Sequence, residues 1–365
     1  MPNYTTTQEN SRLPNQFMSA VVHYALKEGA VELREVSPPS LPADDEVLLA
    51  SRAIGVCGSD VHQFHNTQSW TVNVPVVLGH EFCGVVAAAG KAVKDFKEGD
   101  RVASETAARI CGHCVYCRSG EYNLCPERLG FGYGLDGAMA DFVKVPARCL
   151  HKLPDSVSFE KAALTEPSCV AYNATCVKTQ IHPGDSVLVV GPGTIGLLCL
   201  MFARLAGARW LSVAGLQKDR DRLAMGKALG ADCILDGNVE ENMRAIQSQG
   251  DGLGVDAVID ASGHSATLQL ALQAVRPAGQ ITKVGWGPQP LGFSLDLLVK
   301  KAARIQGSFS HNFVIWEKVI ALFASGRLDP TPLIGRVEPL ANWKTCFDEM
   351  AAGKSVKNVL MPAGV

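Results

Sequence analysis

The stretch that most restricts how this chain can fold is Ser186-Val187-Leu188-Val189-Val190 followed by Gly191-Pro192-Gly193-Thr194-Ile195-Gly196. The first five residues read as a buried strand, and the apolar run Leu197 to Ala206 reads as a helix. A G-x-G-x-x-G alone is a weak signal, but between a strand and a helix it leaves the backbone few options. The first glycine permits a tight turn, Gly193 lets a diphosphate approach the backbone, and Gly196 lets helix and strand pack closely. Thr194 and Ile195 open the helix, whose free amides and dipole favour phosphate. The pattern then repeats as a strand (Trp210 to Ala214), a helix (Asp219 to Leu229) and strands at Val255 to Asp260 and Gln280 to Gly285. That alternation predicts an α/β unit with a doubly wound parallel sheet over residues 171–306.

At 365 residues the chain is too long for one ordinary core. From Ala20 to about Asp155 short strands alternate with turns, as in Val31 to Val36, Pro38-Pro39 and Glu46 to Ala53. This describes a β-rich domain carrying its chemistry on loops, expected over residues 18–170 and completed by a returning tail, 307–365. The two domains would leave the active site in the cleft between them. Residues 1–17 are polar and contain two prolines, which suits a disordered tail and offers no apolar signal-peptide core. A net charge of -2 without a basic run argues against a nucleic-acid partner. No apolar run reaches the roughly 18 residues of a membrane span. A cytoplasmic protein is therefore expected, and its twelve cysteines point to metal rather than disulfides.

Four of those cysteines, Cys111, Cys114, Cys117 and Cys125, follow a C-x2-C-x2-C-x7-C spacing. Two-residue gaps let successive thiolates turn back onto one ion, and four sulfurs close a tetrahedral shell of the structural type. Iron–sulfur clusters also use close cysteines, but at other common spacings; zinc in a lobe over about 105–130 is the expectation. A second constellation joins Cys57-Gly58-Ser59-Asp60-Val61-His62 to Gly79-His80-Glu81-Phe82-Cys83-Gly84. Taken singly, a cysteine or histidine is more often a packed core residue. Together a thiolate, an imidazole and a carboxylate are the ligand set of a zinc that keeps one position open. Both segments are expected to be loops. Cys149, Cys169, Cys176, Cys199, Cys233 and Cys346 stand among apolar neighbours and read as packing residues.

With these motifs, Gly99-Asp100-Arg101-Val102 and Glu166-Pro167, the chain resembles the zinc-dependent medium-chain alcohol dehydrogenases, in the branch of polyol (sorbitol-type) and threonine dehydrogenases. The resemblance implies a GroES-like catalytic domain interrupted by a Rossmann domain, two zinc ions per chain, NAD or NADP, and a homodimer or homotetramer. It implies that Cys57 and His80 hold the catalytic zinc with Glu81 or Glu166 as a further ligand. Glu166 stands where many alcohol dehydrogenases have a cysteine. By the same resemblance Asp60 orients His80, while Ser59 and His62 pass the alcohol proton to solvent. The implied reaction is hydride transfer between a secondary alcohol, such as a polyol, sugar alcohol or amino-hydroxy compound, and the coenzyme. A primary-alcohol dehydrogenase or aldehyde reductase is the alternative, and a non-catalytic nucleotide-binding protein of this fold is a more distant one.

Two departures stand out. Sorbitol-type enzymes carry Arg-Tyr after a Gly-x-Phe, where this chain has Gly307-Ser308-Phe309-Ser310-His311-Asn312, so His311 is expected to grip substrate. The strand end that carries an acid in NAD-binding units reads Val213-Ala214-Gly215-Leu216-Gln217-Lys218-Asp219-Arg220-Asp221-Arg222. Gly215 or Gln217 holds the acid's place, and Lys218 and Arg222 could attract a 2′-phosphate, unless Asp219 or Asp221 returns to the ribose or the run is simply a solvated helix turn. Metal analysis should return two zinc ions per chain, with chelation abolishing turnover before it unfolds the protein; one ion or none in a fully active chain would contradict the ligand assignment.

Overall fold

The computed structural model describes residues 17–363, so the tail expected over 1–17 lies, but for Phe17, outside the described residues. Its central layer is a six-stranded parallel sheet made of Ser186–Val190, Trp210–Ala214, Cys233–Leu235, Val255–Asp260, Val275–Lys283 and Arg304–Gly307. In chain order the strands lie third, second, first, fourth, fifth, sixth, which makes the gap beside the first strand the switch point of the sheet. Both faces are covered. Val187 and Val189 join one apolar cluster with Leu197, Phe202 and Val213. Leu188 and Val190 join another with Val258, Leu268 and Ile281 on the opposite side. Alternate residues of one strand thus feed two cores, which is why the sequence is a continuous apolar run.

The strand Ser186–Val190 ends at Gly191, whose φ of 102° is open to glycine, and the helix Thr194–Leu205 begins with Gly193 as its N-cap. A Cβ on Gly196 would meet the Gly191 carbonyl oxygen at 1.8 Å, so helix and strand approach as closely as backbones can. A Cβ on Gly193 would meet nothing within 4 Å.

A seven-stranded sheet organises the other half. Its spatial path runs Ile334–Pro339, Lys357–Met361, Glu46–Gly55, Glu81–Ala89, Arg101–Ser104 and Leu150–Lys152, and Phe142–Pro146 pairs with Glu46–Gly55 off that path. The C-terminal strand therefore returns to the start of the chain: Val359 pairs with Gly55 and Leu360 with Ile54. The segment before that strand is also tied to the parallel-sheet unit. Thr194 Oγ1 donates to the Val356 carbonyl at 2.8 Å, and Arg222 donates to the carbonyls of Met350 and Ser355 at 3.2 and 2.8 Å.

The loop expected after Cys57 is instead a helix, Gly58–Phe64. Asp60 accepts a hydrogen bond from the Cys57 amide at 2.8 Å, which caps the first turn, while Val61 and Phe64 supply only a short apolar face. Of the six cysteines expected to pack, Cys149, Cys169, Cys199 and Cys346 are buried and Cys233 half-buried, whereas Cys176 is exposed. It sits in the wide π-type turns Asn173–Lys178 that end the helix Thr165–Tyr172.

In an open helix Gly→Ala stabilises by about 1 kcal/mol. Gly196→Ala should reverse that sign, because the added carbon strikes a backbone oxygen that cannot rotate away, and overpacking costs about 1–3 kcal/mol. Gly193→Ala should leave stability unchanged; urea midpoints for the two variants measure the difference.

Candidate active site

Cys57 caps the N-terminus of the helix Gly58–Phe64, and His80 precedes the strand that Glu81 begins. These segments bring one ligand atom each of Cys57, His80 and Glu81 within 4.8 Å of one another. Behind them, His80 Nδ1 lies 3.6 Å from Asp60 Oδ1, and neither atom has a hydrogen-bond partner. The opposite nitrogen, Nε2, is 3.5 Å from Ser59 Oγ. His80 is thus set to present Nε2 to a cation and Nδ1 to the carboxylate. Burial alone would depress the His80 imidazole, but Asp60 and Cys57 outweigh it and hold a proton there well above the usual histidine range. The pocket draws positive charge.

Glu81 is fully buried and both of its oxygens meet the Lys357 ammonium, at 2.6 and 2.9 Å. Lys357 also donates to the Val56 carbonyl at 2.7 Å, so its hydrogens are matched although it is buried. Gly55 leaves room for this pair, since a Cβ there would meet Glu81 Oε2 at 2.2 Å. Lys357 carries no local sign of this role in the sequence, because a lysine opening a strand ordinarily faces water.

Glu166, in the first turn of the helix Thr165–Tyr172, stands outside the three-residue group but close to it. Burial would raise its carboxyl; the hydrogen bond from His311, then the charges of His80 and Lys357, outweigh burial and keep it below the ordinary value. His311 lies elsewhere than expected. It is 2% exposed, with Nε2 3.0 Å from Glu166 Oε1 and Nδ1 2.7 Å from the indole nitrogen of Trp316. Both ring nitrogens are engaged inside the protein, so the ring has no hydrogen bond left for a substrate. Asn123 and Asn173 hold the backbone of Phe309 and Ser310 in front of it.

His62 stands on the exposed face of its helix, with Nδ1 2.8 Å from Thr67 Oγ1. Partial burial, and then the nearby His65, keep its imidazole below the ordinary value. Further out, rings from three segments meet: Trp70 and Trp286 at 6.2 Å, and Trp286 and Phe309 at 5.9 Å. The Arg128 guanidinium lies 5.4 Å from the Phe309 ring and donates to Tyr133 and Thr106, with Ser310 Oγ at 3.5 Å. Arg128 is a second residue that sequence reasoning missed.

The sulfurs of Cys111, Cys114, Cys117 and Cys125 also lie within 4.8 Å of one another. Amides point at three of them: Cys114 N at Cys111, Cys117 N at Cys114 and Cys111 N at Cys125, at 3.3 to 3.4 Å. Backbone donors from His113 and Cys114 bring the Cys111 thiol down to about 6. Desolvation and the neighbouring sulfurs push Cys117 the other way. Four thiolates at this distance need a cation, and the donor set fits zinc.

At the coenzyme-facing end, the helix Thr194–Leu205 has no side-chain cap, and the open space above Gly193 leaves its amides to a diphosphate. Gly215 packs against Pro192 and Leu223 at the strand end, while Gln217 and Lys218 are exposed. Arg222 is turned away to the carbonyls of Met350 and Ser355, and that replaces the phosphate contact expected of it. One Asp219 oxygen caps the turn from the Leu216 amide at 3.1 Å.

The model of the alcohol dehydrogenase GroES-like domain matches residues 43–155, and that of the zinc-binding dehydrogenase domain matches residues 194–325. D-arabitol-phosphate dehydrogenase of Enterococcus avium is 38% identical over 315 residues, which cover 86% of this chain and 89% of that protein. The chain belongs to the zinc-binding alcohol dehydrogenase family. Sorbitol dehydrogenase of Halalkalibacterium halodurans is 34% identical over 341 residues, 93% of this dehydrogenase and 96% of the relative. A zinc-binding dehydrogenase candidate of Sinorhizobium meliloti 1021, solved bound to NADP, superposes with a TM-score of 0.86 at 29% identity, covering 95% of this dehydrogenase and all (100%) of that chain.

Removing one partner of a buried ion pair leaves the other charge stranded, at a cost of about 3–5 kcal/mol. Lys357→Met in this dehydrogenase should be destabilised by that amount. The double variant Lys357→Met/Glu81→Gln should recover most of it. Urea unfolding of the single and double variants checks both.

Proposed function

We propose that this enzyme oxidises a secondary alcohol of a polyol or sugar alcohol to the ketone, with NAD or NADP as hydride acceptor. The observation that carries the reading is the carboxylate Glu166, held by His311 beside Cys57 and His80 in place of a second thiolate. Distance alone favours Glu81 as the third ligand, because it completes the group within 4.8 Å. Charge favours Glu166. The Glu81 carboxylate is already matched by Lys357 on both oxygens, whereas Glu166 has a single hydrogen bond from the His311 ring and only more distant cations beyond it. Cys57, His80 and Glu166 are therefore the proposed catalytic ligands, with Asp60 behind His80, and the four-cysteine group is the proposed structural zinc site.

Zinc in the first site would acidify a bound hydroxyl, and the coenzyme would accept hydride from the adjoining carbon. The chain's own residues handle the proton. Ser59 Oγ stands beside His80 and can take it from the substrate hydroxyl, and His62, held below the ordinary histidine value, is neutral at pH 7 and ready to receive it. Thr67 fixes the His62 ring.

Arg128 supports a substrate that carries an anionic group. It lies against Ser310 and offers a positive charge beside the Phe309 ring. A relative that acts on arabitol phosphate agrees with this. For the coenzyme we favour the 2′-phosphorylated form at least as strongly as NAD. No acid ends the strand at Gly215, Asp219 is occupied by its own turn, and Lys218 remains exposed. Domain boundaries near 170/171 and 306/307 are proposed with this reading. So is a homodimer or homotetramer, because the edge strand Arg304–Gly307 is exposed along its length. Among the described residues no helix is long and apolar enough to cross a membrane.

A panel of free and phosphorylated polyols, primary alcohols and amino-hydroxy compounds, each with NAD and NADP, tests the reading. The highest kcat/KM is expected for a secondary hydroxyl of a polyol or its phosphate, with NADP no worse than NAD. A panel-wide preference for primary alcohols would overturn the substrate class, and a large advantage for NAD would overturn the coenzyme reading.

A further inference from the structure

Among the described residues, a run of hydrogen bonds and one ring stack leads from the cysteine lobe to Glu166 in the active site. His311 Nε2 faces Glu166, and the Trp316 indole nitrogen faces His311 Nδ1. Trp316 is fully buried and stacks on His151, centroids 5.2 Å apart and planes 12° apart. His151 in turn presents Nε2 to Glu105 at 3.1 Å and Nδ1 to Glu317 at 2.6 Å. Both oxygens of the buried Glu105 accept from the Tyr122 hydroxyl at 2.7 Å, and that hydroxyl accepts from the Phe313 amide at 2.6 Å. Tyr122 lies three residues before Cys125, in the lobe of the four cysteines.

The chemistry of one contact fixes the rest. An indole N–H can only donate, so His311 Nδ1 must be the lone-pair nitrogen and the ring proton sits on Nε2, aimed at the Glu166 carboxylate. The other tautomer would set two N–H groups against each other at 2.7 Å and two lone pairs against each other at 3.0 Å. We propose that His311 is the positioning residue of Glu166, and that Trp316 selects the one imidazole tautomer in which it can act. His311 thus does for a carboxylate what carboxylates commonly do for metal-bound histidines: it fixes the rotamer by a hydrogen bond from outside the metal shell. The Glu105 and Tyr122 chain holds the plane of His151, and so of Trp316, from the cysteine lobe. This role rests on the proposed zinc ligation by Glu166.

The test follows release of the more weakly held zinc into a chromophoric chelator, together with kcat and KM, for His311→Leu, His311→Gln, Trp316→Phe and the double variant His311→Leu/Trp316→Phe. Loss of a group that supports a metal ligand costs about 10–100-fold in metal affinity or activity. His311→Leu should fall in that range, with the loss in zinc retention and kcat rather than in KM. His311→Gln, whose amide can still donate, should recover most of the loss. Trp316→Phe keeps the bulk, touches neither Glu166 nor the substrate, and should lose less in the same direction. The double variant should be no worse than His311→Leu, because Trp316 acts only through His311. Unchanged zinc release and kcat in His311→Leu would overturn the proposal, and so would strict additivity in the double variant. A parent enzyme that holds one zinc or none fails before any variant is made; that result sinks the zinc reading of the site and this role with it.

Discussion

Everything in the catalytic pocket answers to one electrostatic problem: negative charge is buried faster than the protein supplies positive charge to match it. Asp60, Glu81 and Glu166 are all buried near the thiol of Cys57, and the described residues set one buried lysine among them. In a low dielectric such an excess forces protons onto acids or draws in a cation. The pocket is arranged for the second outcome, because Glu81 is the one carboxylate that Lys357 hydrogen-bonds, and the other groups are left directed at one another. A divalent ion is what the remaining donors have in common.

The seven-stranded sheet and the helices packed beside it solve a different problem, which is to hold short segments from distant parts of the chain in register around that charge. Cys57 comes from a helix N-terminus, His80 and Glu81 from the start of a strand, Glu166 from the first turn of another helix and Lys357 from the last strand. Each sits at the end of a regular element, where backbone direction is set by the sheet or helix behind it. Ends of elements can carry chemistry with little loss of packing.

The contrast between what could and could not be read from the sequence has a physical pattern. The glycine motif, the cysteine spacing and the buried strands announce themselves because each is local: a turn, a ligand gap, a period of alternation. The strands Ser186–Val190, Trp210–Ala214 and Val255–Asp260 match their expected bounds for that reason. The helix Gly58–Phe64 was read as a loop because Ser59, Asp60 and His62 mask its period, and its cap is visible only once Asp60 is seen to turn back on Cys57. Lys357 and Glu81 are 276 positions apart, and His311 and Glu166 are 145 apart. Neither pairing leaves a trace in local pattern. Arg222 shows the opposite error, in which a plausible local charge run pointed to a phosphate while the fold used the side chain as a tie.

That tie, taken with Thr194, has a mechanical meaning. Thr194 opens the helix whose amides would face a diphosphate, and its hydroxyl grips the carbonyl of Val356, the residue before Lys357. The lever is one peptide long. The start of the helix that would receive a diphosphate and the backbone that carries the ammonium balancing Glu81 are thus tied to one another by one hydrogen bond and one peptide.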